Sequence, residues 1–155
     1  MAVRFVIIGG GPAGVQAASY AARLGASVTL VERDVVGGAA NLWDCIPSKA
    51  MIATGGVMSL TRRASHMGLA HLDAELDFEA LRQRIQQIER GLSASVTGLL
   101  ESQGVRVLRG TGRLKGSHEV AAETDEGVIG LEADAVLLST GSRPRIPDFA
   151  QPDGE

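Results

Sequence analysis

The chain has 155 residues, enough for one domain with a hydrophobic core and too few for two. Its formal net charge of −3 at pH 7 gives no basic field for nucleic acid, and no stretch is long and apolar enough for membrane insertion. Aromatic residues make up only 3% of the chain, so the core must be aliphatic and rich in alanine. The single cysteine, Cys45, cannot form a disulfide within the chain, which favours a reducing, cytoplasmic location.

The N-terminal residues predict a strand, a glycine turn, a helix and a second strand. Residues 5–8 are all apolar and indicate a short buried strand. Residues 12–24 indicate a helix that begins at Pro12 and is capped by Gly25. Residues 27–31 indicate a second strand, which leads into Glu32. The result is a βαβ unit, whose crossover should be right-handed.

The remaining elements complete an α/β pattern. They are a helix from about residue 47 to 66, a helix capped by Asp77 that runs up to Gly104, a strand at 105–108, a hairpin of 119–123 with 128–132, and a last buried strand at 133–140. We therefore predict a Rossmann-like domain in which a parallel sheet carries a helix layer and a small β-meander.

The first turn contains the glycine pattern of a dinucleotide-binding fold. Gly9 allows a tight turn, Gly11 lets the backbone approach a pyrophosphate, and Gly14 lets the helix meet the strand. The free N–H groups and positive dipole end of the helix N-terminus suit phosphate groups. Glu32 lies 18 residues after Gly14, where its carboxylate would accept hydrogen bonds from an adenosine ribose. The alternative is a glycine-rich turn next to a surface glutamate.

A second stretch, from Gly37 to Ala50, resembles the flavin half of the FAD-dependent pyridine nucleotide–disulfide oxidoreductases. It contains Cys-Ile-Pro-Ser-Lys at residues 45–49, and a Thr-Gly-Ser-Arg-Pro segment follows at residues 140–144. Both recur in that family in this order, so the resemblance covers essentially the whole chain and favours FAD over NAD. It is nearest to the lipoamide-dehydrogenase-like NAD(P)H quinone reductases, which lack the redox disulfide.

The resemblance implies a set of cofactor contacts. The segment from Gly38 to Ala40 would line the pyrophosphate and ribityl chain, Lys49 would lie at the reactive edge of the flavin, and Gly112 would touch the adenine side. The alternatives are an exposed helix lysine at Lys49 and a plain turn glycine at Gly112. The complete set of expected FAD contacts is Gly9, Gly11, Pro12, Ala13, Gly14, Glu32, Arg33, Gly38, Ala39, Ala40, Lys49, Gly112, Thr140, Gly141 and Ser142.

The catalytic cysteine pair of the family is incomplete here. In the family a second cysteine lies five residues before the one that precedes Ile-Pro-Ser-Lys, and this position holds Ala40. Thiol–disulfide exchange needs a second thiol to resolve the mixed disulfide. Cys45 is then either a thiolate next to the flavin or an inert buried thiol. Trp43 and Asp44 replace smaller residues and are expected to reshape the pocket over the flavin.

The expected function is hydride transfer from NAD(P)H through FAD to a small acceptor such as a quinone. The resemblance also implies a homodimer in the full-length form. Residues 1–147 would be the FAD-binding domain and 148–155 a linker to a missing domain that binds NAD(P)H. Alternatives are a truncated or non-catalytic FAD-binding module, a soluble transhydrogenase and a dihydrolipoamide dehydrogenase-like protein. The three histidines lack metal-ligand spacing, so no metal site is expected.

Overall fold

The computed structural model describes residues 1–42, 44–71, 73–143 and 145–150. Its strands and helices are β1 (Arg4–Ile8), α1 (Pro12–Arg23), β2 (Ser27–Glu32), α2 (Ala39–Leu42), α3 (Cys45–Arg62), a 3-10 turn (Ala64–Met67), α4 (Phe78–Ser102), β3 (Arg106–Arg109), β4 (Thr111–Gly116), β5 (Glu119–Thr124), β6 (Gly127–Glu132) and β7 (Ala135–Leu138). Among these residues, no helix combines the length and apolar character needed to cross a bilayer.

Four strands form a parallel sheet in the order β3-β2-β1-β7. β1 is central, and its last residue, Ile8, pairs with Val31 of β2 on one side and Leu138 of β7 on the other. The predicted βαβ unit and the parallel sheet are both confirmed. The last strand is shorter than the predicted 133–140, because only Ala135–Leu138 keeps strand pairing with β1.

The other three strands form an antiparallel meander in the order β4-β5-β6. The predicted hairpin is confirmed as β5 and β6, which pair from Glu119↔Glu132 to Thr124↔Gly127. β4 was not predicted, because two glycines and two basic residues interrupt its six-residue sequence and leave no clear alternation.

The core lies on both faces of the parallel sheet. Alternate residues of β1 point to opposite faces, so that Val6 and Ile8 belong to one cluster and Ile7 to the other. The first cluster joins the sheet to the meander through Val120, Ala122 and other small aliphatic residues. The second joins the sheet to α1 and α4 and includes Ala18, Leu30, Leu100 and Val105. As predicted, the core is aliphatic.

The helix limits follow local capping chemistry. Gly25, with φ +87°, follows the end of α1, and Asp77 caps α4 by accepting a hydrogen bond from the Ala80 N–H at 2.9 Å. α3 begins at Cys45, two residues before the predicted start, and the Gly55-Gly56 pair does not interrupt it. The α-helix ends at Arg62, before the predicted limit, and a separate 3-10 turn follows it.

Candidate functional site

The glycine turn between β1 and α1 is built by close backbone approaches. Gly9 has φ +107°, and a Cβ added to it would lie 2.4 Å from the carbonyl oxygen of Ser139. A Cβ on Gly14 would lie 1.9 Å from the Gly9 carbonyl oxygen. Because these contacts are to backbone atoms that no side-chain rotation can move, only glycine fits at either position.

The start of α1 presents backbone donors on an open side of the turn. Gly11 is the N-cap residue without a side-chain cap, and no atom lies within 4 Å of a Cβ built on it. Within the described part of the chain, no hydrogen bond uses the N–H groups of Gly11, Ala13 or Gly14. Pro12 has no N–H to satisfy. Such a helix start binds anionic groups through its N–H groups and positive dipole end.

Glu32, at the end of β2, lies next to this turn. Its Oε2 accepts a hydrogen bond from the Gly10 N–H at 2.6 Å, and its Oε1 accepts one from the Asp34 N–H at 2.7 Å. Each carboxylate oxygen retains a second lone pair that can accept from a hydroxyl group. The neighbouring Arg33 is exposed and forms an ion pair with Asp34 at 3.1 Å.

The second glycine pair packs against the first turn. The Gly37 N–H donates to the Gly10 carbonyl at 2.8 Å. Gly38 has φ +58°, and a Cβ on it would lie 2.8 Å from the Cα of Gly11. The following residues, Ala39 and Ala40, begin the short helix α2, which sequence reasoning missed because four residues carry no helical periodicity. The two glycine motifs, separated in sequence, therefore form one surface.

Cys45 and Lys49 lie in the first turns of α3, and both are exposed. The interpretation of Cys45 as a buried thiol is therefore wrong. Cys45 is exposed because α3 lies at the surface and buries only Ala50. The Ser48 hydroxyl donates to the Asp44 carbonyl at 2.5 Å, the ordinary use of a serine in a first helical turn. Trp43 lies outside the described residues.

Gly112 is not a turn glycine, because it lies inside strand β4. A Cβ on it would lie 2.8 Å from the Cγ2 of Ile8, so a close approach between the meander and β1 explains this glycine. Its predicted adenine contact remains a prediction. Thr140, Gly141 and Ser142 are exposed after β7, and the Thr140 nitrogen would lie 3.0 Å from a Cβ on Gly9. Pro144 and residues 151–155 lie outside the described residues.

Ser139 is a contact that sequence reasoning missed. Its N–H donates to the Ile8 carbonyl at 2.9 Å, and its hydroxyl donates to the Gly9 carbonyl at 2.7 Å. In the sequence Ser139 directly precedes the Thr-Gly-Ser segment. Nothing in this pattern distinguishes it from other serines at strand ends.

The main charge cluster lies at the opposite end of β1 from the glycine turn. Arg4 pairs with Asp134 at 2.8 Å and with Glu132. The hydrogen bond from the Arg4 side chain lowers the pKa of Asp134 to about 2. Because Arg4 begins the strand and Ile8 ends it, this cluster lies at the opposite end of the sheet from the glycine turn and outside the candidate site.

The donor set suits the adenosine diphosphate half of a dinucleotide. Open N–H groups at a helix start match a pyrophosphate, and the adjacent carboxylate of Glu32 matches ribose hydroxyls. Gly38 brings a second backbone segment against the same surface without a side chain that would fill it. Within the described ranges, no group of histidine, cysteine or acidic residues has the arrangement of a metal site.

Comparison with known proteins agrees with this geometry. The family described as pyridine nucleotide-disulphide oxidoreductase matches residues 3–154. The chain is 42% identical over 168 aligned positions to an NAD(P)H dehydrogenase (quinone) of Mycobacterium tuberculosis, with all of this chain and 34% of that protein covered. It is 34% identical over 151 positions to a dihydrolipoyl dehydrogenase of Zymomonas mobilis, with 97% of this chain and 32% of that protein covered.

Two solved structures share the fold of this chain. The crystal structure of LpdA from Mycobacterium tuberculosis superposes with a TM-score of 0.86 at 39% identity, covering 99% of this chain and 35% of that one. The flavoprotein disulfide reductase RclA of Escherichia coli, at 22% identity and a TM-score of 0.77, shares the fold. The chain spans about a third of the length of the relatives it matches.

Proposed function

The chain belongs to the pyridine nucleotide-disulphide oxidoreductase family, and from this membership we propose that it forms the FAD-binding part of an NAD(P)H oxidoreductase whose acceptor is a quinone. FAD and NAD(P)H are the cofactors of this family. Residues 1–147 are the FAD domain in this proposal, and 148–155 lead toward a domain that binds NAD(P)H. The proposal also makes this chain part of a longer protein that acts as a homodimer.

The glycine surface is proposed to hold the adenosine half of FAD. The N–H groups of Gly11, Ala13 and Gly14 bind the pyrophosphate, and Glu32 accepts from the ribose hydroxyls. The open space beside Gly11 and the absence of a side-chain cap on α1 support this role. The remaining contacts proposed from the family motif include Gly38, Ala39 and Ala40 along the pyrophosphate and ribityl chain, and Thr140, Gly141 and Ser142, which close on the cofactor.

Lys49 and Cys45 are proposed to lie at the flavin edge, on the first two turns of α3. Bound FAD supplies hydride acceptance and donation at this edge. Lys49 contributes a positive charge there, and Cys45 is a bystander. Their exposure on the surface of α3 leaves both side chains available to a cofactor.

The observation that carries the choice of acceptor is Ala40 in place of a second cysteine. A methyl group cannot resolve a mixed disulfide with Cys45, the single cysteine of the chain, so a dithiol cannot form here. The acceptor must therefore be one that is reduced without thiol exchange, and a quinone meets this requirement. The name of the 42% identical relative, NAD(P)H dehydrogenase (quinone), supports the same choice.

A second candidate is dihydrolipoyl dehydrogenase activity, which the name of the Zymomonas mobilis relative favours. It requires a redox-active thiol pair, which Ala40 removes from this segment. The two candidates differ in which acceptor is reduced and in their sensitivity to arsenite, a reagent that traps paired thiols.

The test is an acceptor assay on the longer protein that contains this chain. It should oxidise NAD(P)H with benzoquinone or naphthoquinone, leave lipoamide and glutathione disulfide unreduced, and resist arsenite. Cys45→Ser should retain most of the quinone rate. An Ala40→Cys variant, which restores the cysteine pair, is the matched control and should gain sensitivity to arsenite.

Robust turnover of disulfides by the unmodified protein would contradict the proposal. Loss of all quinone activity in a Cys45→Ser protein that still contains its flavin would contradict the bystander role of the thiol. Absence of activity with every acceptor, in a protein that binds FAD, would favour the non-catalytic module.

A further inference from the structure

We propose that Ser139 is a positioning residue for the pyrophosphate of the bound dinucleotide, acting through the peptide between Gly9 and Gly10. This inference rests on the proposed FAD site. Ser139 lies at the end of β7, outside the glycine pattern, and it does not itself contact the phosphates in this proposal.

Two side chains hold one peptide unit from opposite sides. The Ser139 hydroxyl donates to the Gly9 carbonyl at 2.7 Å, and the Gly10 N–H donates to Glu32 at 2.6 Å. The carbonyl and the N–H of a trans peptide point in opposite directions. The Gly9–Gly10 peptide is therefore held between the ends of β7 and β2, the two strands that flank β1.

This restraint sets the direction of the next N–H group. The carbonyl of Gly10 accepts from the Gly37 N–H at 2.8 Å, so the Gly11 N–H of the same peptide points the other way. A peptide between two glycines rotates with little steric resistance. Without the Ser139 hydroxyl, the Gly9–Gly10 peptide keeps only its bond to Glu32 and gains freedom to move. The following peptide, held by Gly37, is then less tightly restrained on the side of Gly9. Holding these donors in place before binding raises affinity by lowering the ordering cost.

The packing at Gly14 explains why the residue at 139 is small. A Cβ on Gly14 would lie 2.7 Å from the Ser139 hydroxyl oxygen and 1.9 Å from the Gly9 carbonyl oxygen. The helix, the carbonyl and the hydroxyl therefore share one tightly filled space. Alanine at 139 fits this space and removes only the donor, so Ser139→Ala isolates the hydrogen bond from the packing.

The experiment measures ADP and adenosine affinities of the 155-residue chain by amide NMR titration. In Ser139→Ala, ADP affinity should fall about three- to tenfold, the size of one net hydrogen bond, while adenosine affinity should change by less than about twofold because adenosine has no pyrophosphate. Hydrogen exchange of the Gly10 N–H should become faster.

The matched control is Ser95→Ala on α4. The Ser95 hydroxyl also donates to a backbone carbonyl, that of Gly91, at 2.8 Å, and both residues lie outside the glycine turn. This variant should bind ADP like the unmodified chain.

Three outcomes overturn the inference. Unchanged ADP affinity in Ser139→Ala would remove the positioning role and leave the proposed FAD site intact. Equal losses of ADP and adenosine binding would indicate a general structural role for Ser139. Failure of the unmodified chain to bind ADP would overturn the pyrophosphate site itself and the proposed function with it.

Discussion

The glycine turn and helix α3 are held in very different ways. The turn is fixed by backbone and side-chain contacts from β2, β7 and the Gly37 segment. Helix α3 buries only Ala50, and four of its six larger apolar side chains, Met51, Ile52, Val57 and Leu60, are each more than half exposed. The adenosine end of the proposed cofactor therefore meets a firmly held turn, whereas the flavin end meets a helix on which most of the larger apolar side chains are exposed.

The difference has an energetic meaning. Burying a large aliphatic side chain contributes roughly 1.5–3 kcal/mol, and α3 forgoes this for most of its length. Four large apolar side chains exposed on one helix exceed the singly scattered hydrophobic residues of an ordinary protein surface. Within this chain, α3 should therefore open more readily than the turn.

Breaking the turn should have the largest effect. Gly14→Ala places a Cβ against the Gly9 carbonyl, where the 1.9 Å separation forces the backbone to move. We expect a loss of about 1–3 kcal/mol in the free energy of unfolding and no measurable ADP binding. Gly98→Ala is the control, since a Cβ there meets open space on α4, and it should raise stability by about 0.5–1 kcal/mol. Urea unfolding and calorimetric ADP titration measure both, and normal ADP binding by Gly14→Ala would contradict the account.

Removing the Glu32 carboxylate should have the next largest effect. Glu32→Ala leaves the N–H groups of Gly10 and Asp34 without their acceptor and the ribose hydroxyls unpaired. The expected loss of binding free energy for ADP, or for FAD in the longer protein, is on the order of 1–3 kcal/mol. Glu32→Gln keeps one acceptor oxygen, so its affinity for ADP should lie between the affinities of the unmodified chain and of Glu32→Ala. An unchanged affinity in Glu32→Ala would make Glu32 a surface acid.

The contrast between the glycine turn and α3 also predicts that the chain binds FAD and ADP with similar affinities. Because the apolar side chains of α3 are exposed at the proposed flavin end, the 155-residue chain should bind FAD only a few times more tightly than ADP. The purified chain should be nearly colourless. The longer protein should be yellow. Absorption spectra before and after dialysis measure this. A stoichiometric, dialysis-resistant flavin spectrum from the chain alone would contradict this prediction, because it would show that α3 holds the flavin end without further protein segments.

The smallest effect on stability is expected at the Arg4 end of β1. The Arg4 hydrogen bond lowers the pKa of Asp134 to about 2 from an ordinary value of 3.8. A lowered carboxyl pKa contributes stability above pH 4 that disappears as the pH falls to about 2. The stability difference between the unmodified chain and Asp134→Asn should therefore shrink over this range, while ADP affinity at neutral pH stays equal. A pH-independent difference would contradict the assigned cause.

The sequence predicted best where its periodicity was strong. The apolar run at 5–8, the glycine pattern and the repeat along 78–102 predicted β1, the turn and α4, because each pattern is local. The exposure of Cys45 was missed, since the residues of α3 are apolar enough to suggest burial and only tertiary packing decides it. Ser139 was missed for a related reason. Its partner, Gly9, becomes a neighbour only through the pairing of β7 with β1.

The contact between Ser139 and Gly9 also sets an order of events during synthesis. These two residues lie 130 positions apart. The glycine turn is therefore synthesised well before the residue whose hydroxyl holds it. Closing so long a loop costs chain entropy, and long-range strand pairing of this kind slows folding in general. The Ser139 hydrogen bond can form only once β7 has paired with β1, and the glycine turn lacks this restraint until then.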